Sequence, residues 1–111
     1  MRKPIAVLAA VAVCGAVAVP AFAATKTVKV GPGVKFGTSS VTIAKGGKVK
    51  FQWTGALPHN VRTTKVPKGA RKFKIATRTK GTVTKTFTRR GTYSLLCDIH
   101  APGMKMTVRV R

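Results

Sequence analysis

Acidic residues are almost missing from this chain. Asp98 is the only Asp or Glu among 111 residues, against 22 Lys and Arg, and the formal net charge is +21. One carboxylate is too few to build an acidic docking patch. The positive field would instead attract anionic surfaces, whether nucleic acid, acidic lipid headgroups, cell-wall polymer or an acidic partner protein. Net charge by itself does not choose among these partners.

Cysteine is scarce as well, because the chain contains only Cys14 and Cys97. The first lies in a segment typical of a secretory signal, with a basic start, apolar residues 5–19 and a small-x-small sequence at residues 21–23. We expect residues 1–23 to be removed, which leaves a single domain of residues 24–111. Cys97 then has no partner, so the domain is expected to fold without an internal disulfide.

Two other interpretations of residues 1–23 are a membrane anchor and lipid attachment at Cys14. A membrane span needs about 20 apolar residues, and Pro20 interrupts this run. Val13 is bulkier than the small residue that usually precedes a lipidated cysteine. Signal cleavage is therefore favoured, and it predicts export to the periplasm, the cell envelope or the extracellular space.

Helical periodicity is also missing from the mature part, which is rich in Val, Thr, Phe and Gly and contains no internal repeat. Val49, Phe51 and Trp53 alternate with polar residues, which predicts a half-buried strand with Trp53 in the core rather than in a redox relay. We predict an all-β, antiparallel Greek-key sandwich of two sheets with about seven to eight strands. The clearest strands are residues 27–30, 41–44, 48–53, 59–63, 82–88, 93–97 and 104–110, whereas 67–78 is left open between a short helix and a loose strand.

Four residues of the sequence are candidate metal ligands. Cys97, His100 and Met104 follow one another closely, and His59, the only other histidine, lies far upstream. One thiolate, two imidazoles and one thioether are the ligands of a type 1 copper site, in which two His and one Cys form a plane with a weak axial Met. Metal ligation would also protect an unpaired thiol in an oxidising compartment. Because His59 comes from a separate segment, metal affinity is expected to depend on folding.

Alternatives to this interpretation concern single residues. Met106 competes with Met104 for the axial position, but Met106 fits the inward face of the last predicted strand. Zinc also binds two His and one Cys together with water, although the nearby Met and the strand-loop-strand context favour copper. Asp98 is interpreted as a solvated loop residue, and tuning of a pKa near the metal is the alternative.

The chain resembles the plastocyanin/azurin-type cupredoxins, which are small blue copper proteins. The resemblance rests on the P-H-N sequence at residues 58–60, the G-T-Y sequence at 91–93 and the pattern C-x2-H-x3-M at 97–104, followed by an alternating strand. The spacing from Cys to His resembles plastocyanin and amicyanin, whereas the spacing from His to Met resembles azurin.

The resemblance implies a role for each matching residue. His59, Cys97 and His100 would be the equatorial copper ligands, and Met104 would be the axial ligand. Asn60 would connect the His59 segment to the Cys97 loop through hydrogen bonds. Electron exchange would occur through the exposed edge of His100, within an apolar patch. The candidates for that patch are Leu57, Pro58, Ala101 and Pro102.

Histidine is too scarce for a second copper centre, because the type 1 site would use both residues. We therefore do not expect an enzyme of the nitrite-reductase or multicopper-oxidase kind. The expected function is that of a secreted, monomeric one-electron carrier that cycles between Cu(II) and Cu(I). We expect its redox partner to have an acidic surface. Association with an anionic membrane or cell wall is left open. The alternatives are an extracytoplasmic copper-binding or delivery protein and, less favoured, a basic nucleic-acid or cell-wall-binding protein. Cations spread along every strand are typical of a solvated face, so no specific nucleic acid is expected.

Overall fold

The structure is a computed structural model that describes residues 24–111, so the predicted signal segment and its cleavage site lie outside the described residues. This part of the chain forms eight strands and one 3₁₀ turn, Asp98–His100. The strands are β1 (Thr25–Val30), β2 (Ser40–Ile43), β3 (Lys48–Trp53), β4 (His59–Lys65), β5 (Lys74–Arg78), β6 (Thr82–Thr86), β7 (Gly91–Leu96) and β8 (Lys105–Val110). Within residues 24–111, no helix has the length and apolar character needed to span a bilayer.

The strands are arranged in two sheets. One sheet has the order β1-β3-β6, and the other has the order β2-β8-β7-β4-β5. The predicted all-β sandwich of two sheets is therefore confirmed. The pairing differs from the wholly antiparallel prediction, because β1 pairs with β3 and β2 pairs with β8 in parallel. Parallel neighbours need a crossover connection, and β2, which lies between β1 and β3 in the chain, belongs to the other sheet.

The core lies between the two sheets and follows the alternation of the sequence. Val49, Phe51 and Trp53 of β3 are buried, whereas Lys50 and Gln52 between them are exposed. The same pattern places the apolar face of β8 in the core. Apolar burial stabilises the fold by about 25 cal/mol per Å² of surface removed from water, and the solvated lysines and arginines occupy the opposite faces.

The segment 67–78, left open from the sequence, contains a strand. β5 pairs antiparallel with β4, with Ile75 opposite Val61. Both side chains are buried, although Ile75 is the only large apolar residue of β5 and its neighbours are exposed. A single apolar residue gives no periodicity from which a strand could be recognised.

Candidate metal centre

The candidate ligands come from three strand ends at one end of the sandwich. His59 is the first residue of β4, Cys97 directly follows β7, and His100 is the last residue of the 3₁₀ turn. Met104 directly precedes β8. Strands β4 and β7 are neighbours in the five-stranded sheet, and this pairing brings the His59 segment beside the loop that carries the other three residues.

The structure brings two imidazole nitrogens and one sulfur into a compact triangle. Nδ1 of His59 lies 3.1 Å from Nδ1 of His100, and Sγ of Cys97 lies 3.9 Å from the former and 3.6 Å from the latter. A point equidistant from these three atoms lies about 2.1 Å from each of them, which is close to the length of a metal–imidazole bond. The three donors therefore fit a single metal ion.

Burial shapes the chemistry of this cluster. His59 and Cys97 have no exposed surface, and His100 is partly exposed. The pKa of His59 is lowered, first by burial and then by the charge of His100. A hydrogen bond with the Gly33 backbone raises it and so opposes part of this shift. A lowered pKa keeps the imidazole neutral near neutral pH, and the neutral ring is the form that binds a metal.

Strand register places Met104 across from Cys97. Leu96 is opposite Lys105 in the antiparallel pairing of β7 and β8, and the next step of the same ladder sets Cys97 against Met104, whose carbonyl accepts a hydrogen bond of 3.0 Å from the Cys97 amide. Directly opposed residues project from the same face of a sheet. Met104 is fully buried and is therefore the thioether nearest the thiolate along this ladder.

Met106 lies two residues farther along β8 from the cluster. It is opposite Leu95, so it lies about 7 Å along the strand from the position opposite Cys97. Its side chain is also buried. The register thus gives Met106 a packing position within the sandwich.

Asn60 and Asp98 connect β4 to the loop that follows Cys97. The Asp98 amide donates a hydrogen bond of 2.8 Å to Oδ1 of Asn60, and Nδ2 of Asn60 donates one of 2.8 Å to Oδ2 of Asp98. Asn60 is 2% exposed, so these bonds form out of water on the side of Asn60. The pair holds the residue after His59 against the residue after Cys97.

Arg62 completes this connection and was not identified from the sequence. Its Nε and Nη2 donate to the Asp98 carboxylate at 2.7–3.0 Å. Hydrogen bonds from Arg62, and next from Asn60, lower the pKa of Asp98 to about 2. The sequence contained one signal, a lone acid among many cations, but 22 Lys and Arg gave no means of choosing its partner.

Exposed apolar residues occur in both segments that carry the two histidines, and His100 itself is partly exposed. Leu57 is 42% exposed and Ile99 is 48% exposed, and the remaining patch candidates from the sequence, Pro58, Ala101 and Pro102, are also exposed. Ile99 was not among those candidates, although it directly precedes His100.

The chain resembles known proteins over most of its length. The family model described as copper binding proteins, plastocyanin/azurin family, matches residues 23–111. Plastocyanin A/B of Petroselinum crispum is 36% identical over 86 residues, which cover 70% of this chain and 89% of that protein.

Solved structures of amicyanin and pseudoazurin share the fold of this chain. A variant of amicyanin in its reduced Cu(I) form at pH 4 has a TM-score of 0.68 and 27% identity, covering 78% of this chain and 82% of that one. The pseudoazurin of Methylobacterium extorquens AM1 has a TM-score of 0.67 and 31% identity, covering 78% and 74%. The chain belongs to the plastocyanin/azurin family of copper-binding proteins, and copper is the cofactor of its metal centre.

Proposed function

We propose that this protein is an exported one-electron carrier with a single type 1 copper site. His59, Cys97 and His100 would hold the ion in a plane, and Met104 would be the weak axial ligand. When bound, copper supplies one-electron chemistry by alternating between Cu(II) and Cu(I). The observation that carries the proposal is the triangle of Nδ1, Nδ1 and Sγ, whose edges of 3.1, 3.6 and 3.9 Å suit one metal ion.

The surrounding residues limit how far the ligands can move. His59 and Cys97 belong to hydrogen-bonded strand ends, and Asn60 connects their segments directly. Electron transfer is fast when the donor atoms keep their positions in both oxidation states, and a rigid sheet restricts such movement. Full burial of Cys97 keeps water and oxidants away from the sulfur.

His100 is the proposed route for electrons into and out of the protein. His59 and Cys97 are fully buried, whereas His100 has exposed surface. Apolar Leu57 and Ile99, from the two segments that carry the histidines, are also exposed. A partner that docks over this surface would be brought close to the copper while water is displaced from apolar contacts. The excess of Lys and Arg supports a partner with an acidic surface.

Export is supported by the sequence of residues 1–23, which has the basic, apolar and small-residue parts of a secretory signal. We place the mature carrier in the periplasm, the cell envelope or the extracellular space. Cys97 is the only cysteine of residues 24–111, so in an oxidising compartment its thiol cannot form an internal disulfide and is open to oxidation. Copper ligation would protect the thiol from oxidation.

The proposal is tested by adding Cu(II) to the purified protein and recording visible absorption and a voltammogram. We expect one equivalent of copper, an intense thiolate-to-Cu(II) band and reversible reduction. Cys97→Ser should abolish the band and the reversible wave, while the circular dichroism of the sheets is unchanged. A protein that binds only Cu(I), without colour, would contradict the carrier function and favour copper delivery.

A further inference from the structure

The loop that follows β1 packs beside the metal centre. We call residues 31–33, which include Gly31 and Gly33, the glycine loop. The amide of Gly31 donates to the carbonyl of Lys35 at 2.9 Å and closes the turn. A Cβ built on Gly31 would lie 3.4 Å from Nε2 of His59. The glycine loop therefore lies against the ring nitrogen of His59 that is not a candidate metal donor.

Nε2 of His59 lacks a well-aligned hydrogen-bond partner. Among the described residues, this atom and Oγ1 of Thr54 are the two buried side-chain polar atoms in that condition. Both residues have atoms within 4 Å of a Cβ built on Gly31. Buried polar groups are nearly always hydrogen-bonded, so an exception at a candidate metal ligand points to a functional constraint.

The backbone of Gly33 can serve as the acceptor for Nε2. An imidazole that binds a metal through one nitrogen usually donates the N–H of the other to a carbonyl, a carboxylate or water. The Gly33 backbone interacts with the His59 ring and raises its pKa, as an accepting carbonyl does. The glycine loop lies on the Nε2 side of that ring. The Gly33 carbonyl is therefore the acceptor available to Nε2 once Nδ1 holds a metal ion.

The glycine loop also packs tightly on Thr54, the residue that follows β3. The amide of Thr54 donates to the carbonyl of Val30 at 3.0 Å, and a Cβ built on Gly31 would lie 2.5 Å from the Thr54 carbonyl oxygen. Non-bonded carbon atoms are most stable about 3.5–4.0 Å apart, so a contact of 2.5 Å would force the loop and Thr54 apart. The close approach of the loop to His59 thus depends on the absence of a side chain at Gly31.

The end of β3 holds the backbone of His59 as well. Nε1 of Trp53 donates a hydrogen bond of 2.9 Å to the His59 carbonyl, and Thr54, the next residue, limits how closely the glycine loop approaches the ring. His59 is thus held at its carbonyl by one residue and at its ring by a loop that packs on the following residue. Loss of the contact at the ring would leave the imidazole free to turn about its side-chain bonds.

A side chain at residue 31 would have two separate effects, one on backbone conformation and one on packing. Gly31 has a φ of 95°, in a region that residues other than glycine rarely adopt. Gly81, in the turn between β5 and β6, has nearly the same φ of 94°. Among the described residues, a Cβ at Gly81 would have only Cζ of Arg78 within 4 Å, at 3.9 Å. Alanine would therefore be similarly strained at both glycines but would meet neighbouring atoms closely only at Gly31.

We infer that Gly31 is a positioning residue of the metal centre, because its missing side chain lets the glycine loop pack on Thr54 and hold the His59 ring at Nε2. Gly31 acts through that ring, whose Nδ1 faces the other two donors of the triangle. The inference rests on the proposed function, since a fixed imidazole matters most where one metal ion changes its oxidation state. It adds a residue outside the ligand set to those on which the copper properties depend.

The test compares Gly31→Ala with Gly81→Ala in protein that is exported from the full chain and purified. Both variants should unfold at lower urea concentration than wild type, because each places alanine at a positive φ. The affinity for Cu(II) is measured by competition with a chelator, and the visible absorption and the reduction potential are recorded for the copper-loaded protein. All three quantities are compared under conditions in which circular dichroism shows both variants to be fully folded.

Gly31→Ala should bind Cu(II) about 10–100-fold more weakly than wild type, as loss of a group that orients a ligand does, and its visible band and reduction potential should shift. Gly81→Ala should match wild type in all three quantities despite its lower stability. Equal copper affinity in the two variants would overturn the inference and leave the proposed function standing. Wild-type protein without the thiolate-to-Cu(II) band would contradict the proposed function, and the inference with it.

A crystal structure of the copper-loaded wild-type protein gives a second measurement, which does not depend on the folding of either variant. Nε2 of His59 should lie about 2.7–3.2 Å from the carbonyl oxygen of Gly33, the distance of a hydrogen bond. A hydrogen bond from Nε2 to a different group, or an Nε2 atom without any partner, would overturn the inference.

Discussion

Arg62 and Asp98 form an ion pair across the two segments that carry the copper ligands, with Nη2 of Arg62 2.7 Å from Oδ1 of Asp98. Arg62 belongs to β4, three residues after His59, and Asp98 directly follows Cys97. Both side chains are more than a third exposed, so the attraction is screened by solvent and salt. Its importance lies in where it acts, since it joins the two halves of the metal centre.

The ion pair predicts a pH dependence of stability. The pKa of Asp98 is lowered from 3.8 to about 2 in the folded protein, so its contribution is fully present above the unfolded pKa and is lost as pH falls through about 2. Arg62→Gln should therefore lower the urea midpoint of the copper-free protein at pH 5 and have little effect at pH 2. A midpoint difference between wild type and variant that is equal at both pH values would contradict this assignment.

Asn60→Ala should weaken both the fold and the copper site. The substitution leaves the Asp98 amide without the Asn60 acceptor, and loss of a buried hydrogen-bond partner costs about 1–3 kcal/mol. We expect that decrease in the free energy of unfolding, together with a shift of the visible copper band because the His59 and Cys97 segments are no longer joined. Gln52→Ala, at an exposed position of β3, is the control and should change neither quantity.

The two methionines provide a matched pair for the axial position. Met104→Leu should retain copper and shift the reduction potential, because the thioether opposite Cys97 is removed. Met106→Leu should leave the potential unchanged and cost less than about 1.5 kcal/mol, as volume-conserving core changes do. Voltammetry and urea unfolding of both variants separate these effects, and a potential that responds only to Met106→Leu would reverse the axial assignment.

Trp53 is expected to support His59 rather than to carry electrons. Its Nε1 donates a hydrogen bond of 2.9 Å to the His59 carbonyl in the core, and Arg78 lies 5.6 Å from the ring centroid. Trp53→Phe should lower the free energy of unfolding by about 1–3 kcal/mol through loss of this buried bond. The rate of electron exchange at an electrode should remain close to that of wild type, and a large decrease in this rate with copper still bound would indicate a redox relay.

Local patterns predicted most of the architecture because alternation reports directly on which face of a strand is buried. Val49, Phe51 and Trp53 are an example, since all three are buried as their spacing predicted. Strand pairing was harder, because alternation does not say which neighbour a strand chooses. The parallel pairs β1 with β3 and β2 with β8 depend on how the chain crosses between the sheets.

Among the residues of the metal centre, the candidate ligands could be predicted from the sequence, whereas the contact between Arg62 and Asp98 could not. Sequence spacing proposed His59, Cys97, His100 and Met104 because their donor types suit one metal. The role of Arg62 could not be predicted from the sequence, because that role depends on contact with Asp98, which is 36 residues away in the chain. Contacts between distant segments follow from sheet register, which no local pattern contains.

The sequence by itself determined the donor set, the strand pattern and the large positive charge, since each of these depends on residue identity and short-range spacing. Tertiary structure decided which atoms meet: the two Nδ1 atoms lie 3.1 Å apart, and Asp98 lies against Arg62. The physical reason is that distance in space is set by the packing of two sheets, and residues far apart in the chain become neighbours only when the sheets close.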